Sequence, residues 1–235
     1  MIPFAIDKGS PEQVVPKFRV EDRLKTEFQE AVIKFYLENG RSYPWRRTND
    51  PFKILVAEIL LRLTGAWKAE AVYEEIIRSY GTVESMSKAK TKELKRIIRP
   101  LGLSHRATLL VDISKDIINR FGGRVPDDFA ALVSLKGVGR YTANAVLCLG
   151  YGRKVPLVDE SVRRIFVRCL NFRSTKPAYL DNDLWSFAAK LLPDKRIKEY
   201  NLGLLDLGAT LCKYPKSLCC KCPLQTSKRG PLRIR

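Results

Sequence analysis

The chain has 235 residues, 45% hydrophobic and 29% charged, a balance that excludes a disordered chain and allows a large apolar core. Its 43 Lys and Arg against 25 Asp and Glu leave a net charge of +18, which favours a polyanionic partner through counterion release. No stretch is long and apolar enough to span a bilayer, and the start MIPFAIDKGSPEQ lacks a signal-peptide layout; the expectation is an intracellular protein, in the cytoplasm or at the nucleoid, with no membrane partner.

Residues 1–20, with two prolines among polar residues in Gly9–Lys17, read as a flexible arm. Apolar residues then recur at three- and four-residue spacing through Phe28–Leu37, Phe52–Leu63, Ala69–Tyr80, Lys92–Ile98, Ala107–Phe121, Phe129–Leu135, Tyr141–Leu149, Val162–Leu170, Leu184–Leu192 and Tyr200–Leu211. That is the period of one buried helix face. Glycine and proline punctuate the runs at Pro100-Leu-Gly, Gly122-Gly, Gly137-Val-Gly and Pro193-Asp. No segment alternates as a half-buried strand would, so the pattern predicts an all-α protein ending in a basic tail, Arg229–Arg235.

Four features carry chemistry, taken in chain order. Glu58 interrupts the apolar run Ile54–Leu61. An acid there either faces solvent along a wet stripe or is buried for a function, and burial raises a carboxyl pKa towards the range where it donates a proton. Next, a predicted helix ends at Leu135, two glycines follow one residue apart, and a new apolar helix begins at once. The amides of Val138 to Arg140 are then expected unpaired at a helix start, where the dipole favours an anion, so Gly137, Val138, Gly139 and Arg140 form a candidate grip for one phosphate. The same pattern also serves plain helix–turn–helix connections. Asp159 precedes another apolar helix, as an ordinary N-cap would. Of six cysteines, Cys148 and Cys169 lie in apolar helical runs and read as core residues, whereas Cys212, Cys219, Cys220 and Cys222 crowd together and point to metal before disulfides. Their spacing suits no standard zinc finger.

LKGVGRYTANAV followed by VPLVDESVRRI resembles the helix-hairpin-helix and the essential Asp of the endonuclease III superfamily of DNA glycosylases. YPWR at Tyr43–Arg46, AEILLRLT at Ala57–Thr64, LGLSHRA at Leu101–Ala107 and NLGLLDLGATLC at Asn201–Cys212 extend the resemblance from about Tyr43 to Lys228. It implies two helical domains with a cleft between them that accepts a nucleotide flipped out of duplex DNA. A six-helix barrel with the hairpin would span 48–150, and 21–47 plus 151–235 would form a second domain with an iron–sulfur cluster. Asp159 would stabilise the positive charge growing on the sugar and orient a water, and Glu58 would assist the departing base. Strand-cutting relatives carry a Lys at the position of Tyr141 and form a Schiff base with it; a phenol forms no imine, so hydrolysis without strand cleavage is expected. Tyr141 either contacts the nucleotide or packs at its helix start. Leu63 stands where relatives often have a Gln that fills the gap left by the flipped base, and is either an apolar wedge or core. Arg62 and Arg140 are candidates for phosphate contact.

The family's cluster loop spaces four cysteines by six, two and five residues and binds [4Fe–4S]. Cys212, Cys219 and Cys222 fit its first three positions, and Lys228 occupies the fourth. A [4Fe–4S] cluster is expected; Cys220 as substitute, a three-iron cluster, an external ligand and loss of the cluster all stay open. Tyr141 and LLRLTGAWKA resemble archaeal mismatch thymine glycosylases, while DLGATLC and CPLQ also resemble adenine glycosylases, which usually add a C-terminal domain that this chain is expected to lack. The expected function is a monomeric, monofunctional glycosylase on double-stranded DNA that removes thymine or uracil opposite guanine. The alternatives are an adenine glycosylase acting opposite 8-oxoguanine or guanine, and a non-catalytic DNA-binding module, which would be expected to have lost Asp159 or Glu58.

Overall fold

Among the described residues the helical periodicity resolves into eleven α-helices: α1 Asp22–Asn39, α2 Pro51–Leu60, α3 Ala66–Tyr80, α4 Val83–Ser87, α5 Thr91–Ile98, α6 His105–Phe121, α7 Phe129–Val133, α8 Arg140–Ala145, α9 Glu160–Cys169, α10 Asn182–Lys190 and α11 Ile197–Thr210. The structure is a computed structural model, and it describes residues 21–213, 218–226 and 230–231. The arm over 1–20 and Lys228 lie outside the described residues. Among the described residues the fold is all-α apart from a two-residue antiparallel pair, Gln225–Thr226 with Gly230–Pro231, too short for alternation to announce it. Among the described residues no helix is long and apolar enough to cross a membrane.

Three local departures from the periodic pattern have physical causes. Helix α4 is a single turn closed by a capping box, in which the Thr82 hydroxyl accepts from the Ser85 amide and the Ser85 hydroxyl accepts from the Thr82 amide. Helix α2 stops at Leu60 and does not run on to Leu63. The buried Arg106 guanidinium donates to the Leu60 carbonyl (2.8 Å), the Thr64 hydroxyl (2.9 Å) and the Arg62 carbonyl, so a side chain from α6 takes the helix's last carbonyl and two acceptors of the loop beyond it. Leu63 is left outside the helix at φ 53°. Helix α8 continues into a π-helical turn at Val146–Gly150.

The buried apolar residues form two clusters. One gathers α2 to α8, with Ile54, Leu60, Ile76, Ile113 and Val146; the other gathers α1 and α9 to α11, with Phe28, Phe166, Trp185, Tyr200 and Leu207. Each such side chain stabilises the fold by about 1.5–3 kcal/mol through burial. Trp45, Leu157 and Leu202 pack in the first cluster, although they lie outside the 48–150 segment. Tyr141 packs against both clusters. Helix α11 passes the start of α9 at glycine distance, since a Cβ on Gly208 would stand 2.4 Å from the Ser161 hydroxyl.

Candidate active site

A cleft of about 550 Å³ opens where the two clusters meet, bordered by Tyr43, Arg46, Glu58, Arg62, Tyr141 and Asp159 among others. Three of these were expected to act together. Glu58 comes from α2, Tyr141 from the first turn of α8 and Asp159 from the residue before α9, so three different elements deliver them to one space.

Glu58 is partly open to the cleft, and its carboxyl has no hydrogen bond or ion pair among the described residues. Desolvation raises its pKa to about 7; the nearby charge of Asp159 adds to this, while Arg62 and Arg46 oppose it. Asp159 serves two roles at once. Its Oδ1 accepts from the amides of Ser161 and Val162 (both 2.8 Å) and from the Ser161 hydroxyl (2.7 Å), capping α9. Its Oδ2 has no partner among the described residues and is left for the cleft. Tyr141 is desolvated between the two acids, and burial together with the charges of Glu58 and Asp159 pushes its pKa well up, so the phenol keeps its proton. Across the cleft, Arg46 is held by a bidentate pair of bonds to Asp206 (2.7 and 2.8 Å), and Arg41 donates to the same carboxylate through its amide (2.8 Å) and Nε (2.6 Å).

The glycine turn before α8 differs in detail from its sequence reading. Gly137 adopts φ +73°, the left-handed region that glycine tolerates, and its carbonyl accepts from Arg62 Nη2 at 2.6 Å. The Val138 amide is not unpaired: it donates to the Leu135 carbonyl at 3.0 Å, and the Val138 side chain is buried. Gly139 is extended (φ −94°, ψ 176°), and a Cβ there would meet nothing within 4 Å. The amides of Gly139, Arg140 and Tyr141 are among those with no partner in the described residues. The Arg140 guanidinium is committed elsewhere, 4.4 Å from the Trp185 ring centroid and donating to Asn182 Oδ1 at 2.9 Å, which ties α8 to α10. Arg62 and Arg140 therefore also brace the hairpin with their side chains.

The cysteines also regroup. Cys148 is core, with its sulfur accepting from Asn201 Nδ2 at 3.3 Å. Cys169 is not simply core: it borders one small cavity together with Cys212, Cys219 and Cys222. Cys220 is exposed and does not border that cavity. Arg168 Nη1 lies 3.4 Å from the Cys212 sulfur. Among the described residues no three His, Cys, Asp or Glu side chains form a ready site for a single metal ion.

Residues 56–190 match the model of the HhH-GPD superfamily base excision DNA repair proteins, more than half of the chain. The chain belongs to this family. A thymine/uracil-DNA glycosylase of Pyrobaculum aerophilum is 40% identical over 204 residues, covering 85% of this chain and 89% of the relative. An adenine DNA glycosylase of Mycobacterium tuberculosis is 34% identical over 195 residues, covering 82% of this chain and 64% of the relative. Among solved structures, a thermostable thymine-DNA glycosylase superposes with a TM-score of 0.80 at 36% identity, covering 85% of this chain and 93% of that one.

Within this HhH-GPD chain, sequence reasoning passed over three residues that shape the cleft. Asp206 is fully buried, and although burial works against its charge, Arg46 and Arg41 hold its pKa below the usual range. Its signal was available, an acid inside the apolar helix Asn201–Leu207, as for Glu58. Arg106 gave no signal, because a basic residue at a helix start looks like surface. Leu103 stands at φ 51° and is 42% exposed, joined through Arg106 to the loop that presents Leu63 at φ 53° and 96% exposed. Two exposed leucines on strained backbone mark this rim as apolar, and exposure removes the core reading of Leu63.

Proposed function

We propose that this HhH-GPD protein is a monofunctional DNA glycosylase of base excision repair, which flips thymine or uracil out of a mispair with guanine and hydrolyses the bond to the sugar. One observation carries the reading: the cleft pairs an acid held near pKa 7 with a carboxylate that keeps one oxygen free. In its protonated form Glu58 donates to the departing base, and Asp159 Oδ2 opposes the positive charge on the sugar and orients the attacking water. Tyr141, still protonated, donates a hydrogen bond or offers its ring to the nucleotide. The amides of Gly139, Arg140 and Tyr141 hold a backbone phosphate beside the Gly137 turn. Leu63, with Leu103, serves as an apolar wedge filling the vacated stack.

Two helical domains, 48–150 and 21–47 plus 151–235, account for the two apolar clusters and the cleft at their meeting point. A [4Fe–4S] cluster fits the donor chemistry of the C-terminal thiols, soft ligands with Arg168 beside them. Bound there, it ties the C-terminal turn to the helices and takes no part in hydrolysis. The protein works as a monomer on double-stranded DNA. Removal of adenine opposite 8-oxoguanine or guanine is the second reading, favoured by the 34% identity to an adenine glycosylase. A non-catalytic module does not account for the presence of both Glu58 and Asp159 in one cleft. Duplexes carrying G·T, G·U or A·8-oxoguanine, treated with alkali after incubation, separate these readings: cleavage of the first two and not the third is expected.

Among the described residues no lysine borders the cleft, which supports hydrolysis without strand cleavage. The unmodified chain should leave intact abasic sites and give little borohydride-trapped complex. Tyr141→Lys places an amine beside Glu58 and Asp159, and trapping should rise from background to a readily measured fraction of the enzyme. Efficient trapping by the unmodified chain would mean another lysine reaches the sugar.

The hairpin is tested by two glycines with opposite geometry. Gly139→Ala has room and ordinary backbone, so the melting temperature should hold while affinity for all duplexes falls alike, by about tenfold for one charge-assisted hydrogen bond. Gly137→Ala is strained by its positive φ and sets a Cβ 3.1 Å from Leu109; it should lose about 1–2 kcal/mol of stability as well. Unchanged affinity of Gly139→Ala would make the turn merely structural.

A further inference from the structure

Cys169 ends α9, and its burial would suit a plain core residue. Its neighbours do not. It lines the same small cavity as Cys212, Cys219 and Cys222. These four cysteines, from α9, the end of α11 and the C-terminal turn, border one apolar cavity closed by Ile165, Leu207 and Leu224. Cys220, next to Cys219 in sequence, is exposed and points to no such group. Arg168 Nη1 lies 3.4 Å from the Cys212 sulfur, and Arg164 Nε donates to the Cys212 carbonyl at 2.6 Å.

We propose that Cys169 is the fourth thiolate of the C-terminal metal centre, completing with Cys212, Cys219 and Cys222 the set that Lys228 leaves one short. This rests on the cluster reading above for its occupant. The cavity they border is about 30 Å³, so a cube fits only with the four thiols spread further apart. The centre then anchors the far end of the same ten-residue helix whose start is capped by Asp159, and metal loss loosens the placement of that carboxylate.

The test is metal content of the full chain purified without oxygen, with iron, acid-labile sulfide and zinc measured per chain and the visible spectrum recorded. About four irons are expected for the unmodified chain. Cys169→Ser should lose iron as fully as Cys212→Ser, Cys220→Ser should keep it, and Cys169→Ser combined with Lys228→Cys should regain it. Full iron in Cys169→Ser, or loss of iron in Cys220→Ser alone, overturns the ligand set. Zinc that depends on Cys169 supports the ligand set and overturns the iron–sulfur occupant; no metal in the unmodified chain overturns both. If Cys169→Ser fails to fold, Mössbauer spectra of the unmodified chain read the same point. Irons all in sulfur surroundings support Cys169, and one iron with a nitrogen or oxygen ligand overturns it.

Discussion

Asp159→Asn is expected to bind a mismatched duplex as the unmodified chain does and to release the base about 10³-fold more slowly, the scale of losing one preorganised charge at the reacting centre. The substitution is clean because of how the carboxylate is divided. Oδ1 caps α9 through three bonds, and the asparagine carbonyl can take over all of them. The free oxygen facing the cleft becomes an uncharged amide, which neither opposes the sugar's positive charge nor takes a proton from water. Asp159→Ala should lose the same activity and, in addition, about 1 kcal/mol of stability with the cap. Single-turnover base release followed by alkali, beside binding by fluorescence anisotropy, measures both. Near-normal turnover by the Asn variant would sink the assignment.

Glu58→Gln should slow base release by about 10²–10⁴-fold, the usual contribution of a general acid. With the carboxyl raised to about 7, the proton-donating form dominates below that pH and is lost above it. The unmodified rate should therefore fall as pH rises through about 7, and Glu58→Gln should lose that limb. The same shift works against stability. The folded pKa of about 7 lies above the ordinary 4.5, so the stability this group contributes is complete at low pH and is lost as pH rises through the folded value. Glu58→Gln should melt higher than the unmodified chain at about pH 8 and no higher at about pH 4, read by thermal denaturation at both. A flat pH–rate profile across this range would remove Glu58 from the proton transfer.

The existence of the longer helices was legible in the sequence, because a helix face repeats locally and needs only its own residues to be read. The glycine turn, the cap at Asp159 and the acid at Glu58 were legible for the same reason. What the sequence left undecided was every feature whose partner lies far along the chain. Glu58 and Asp206 look alike, each an acid in an apolar helix. Tertiary structure surrounds Asp206 with Arg41 and Arg46 and leaves Glu58 without a hydrogen bond among the described residues, so one acid is a structural anchor and burial raises the pKa of the other to about 7. The end of α2 followed from Arg106, 46 residues beyond Leu60, and with it the exposure of Leu63. Arg140 reads in sequence only as a candidate phosphate contact, and the fold adds Trp185 and Asn182 of α10 against its guanidinium. Cys169 looked like core because spacing describes the helix a residue sits on, whereas the thiols that meet it arrive from a segment more than forty residues later. Periodicity reports which face is buried; only the packed chain decides what that face is buried against, and desolvation, pairing and ligation all depend on that neighbour.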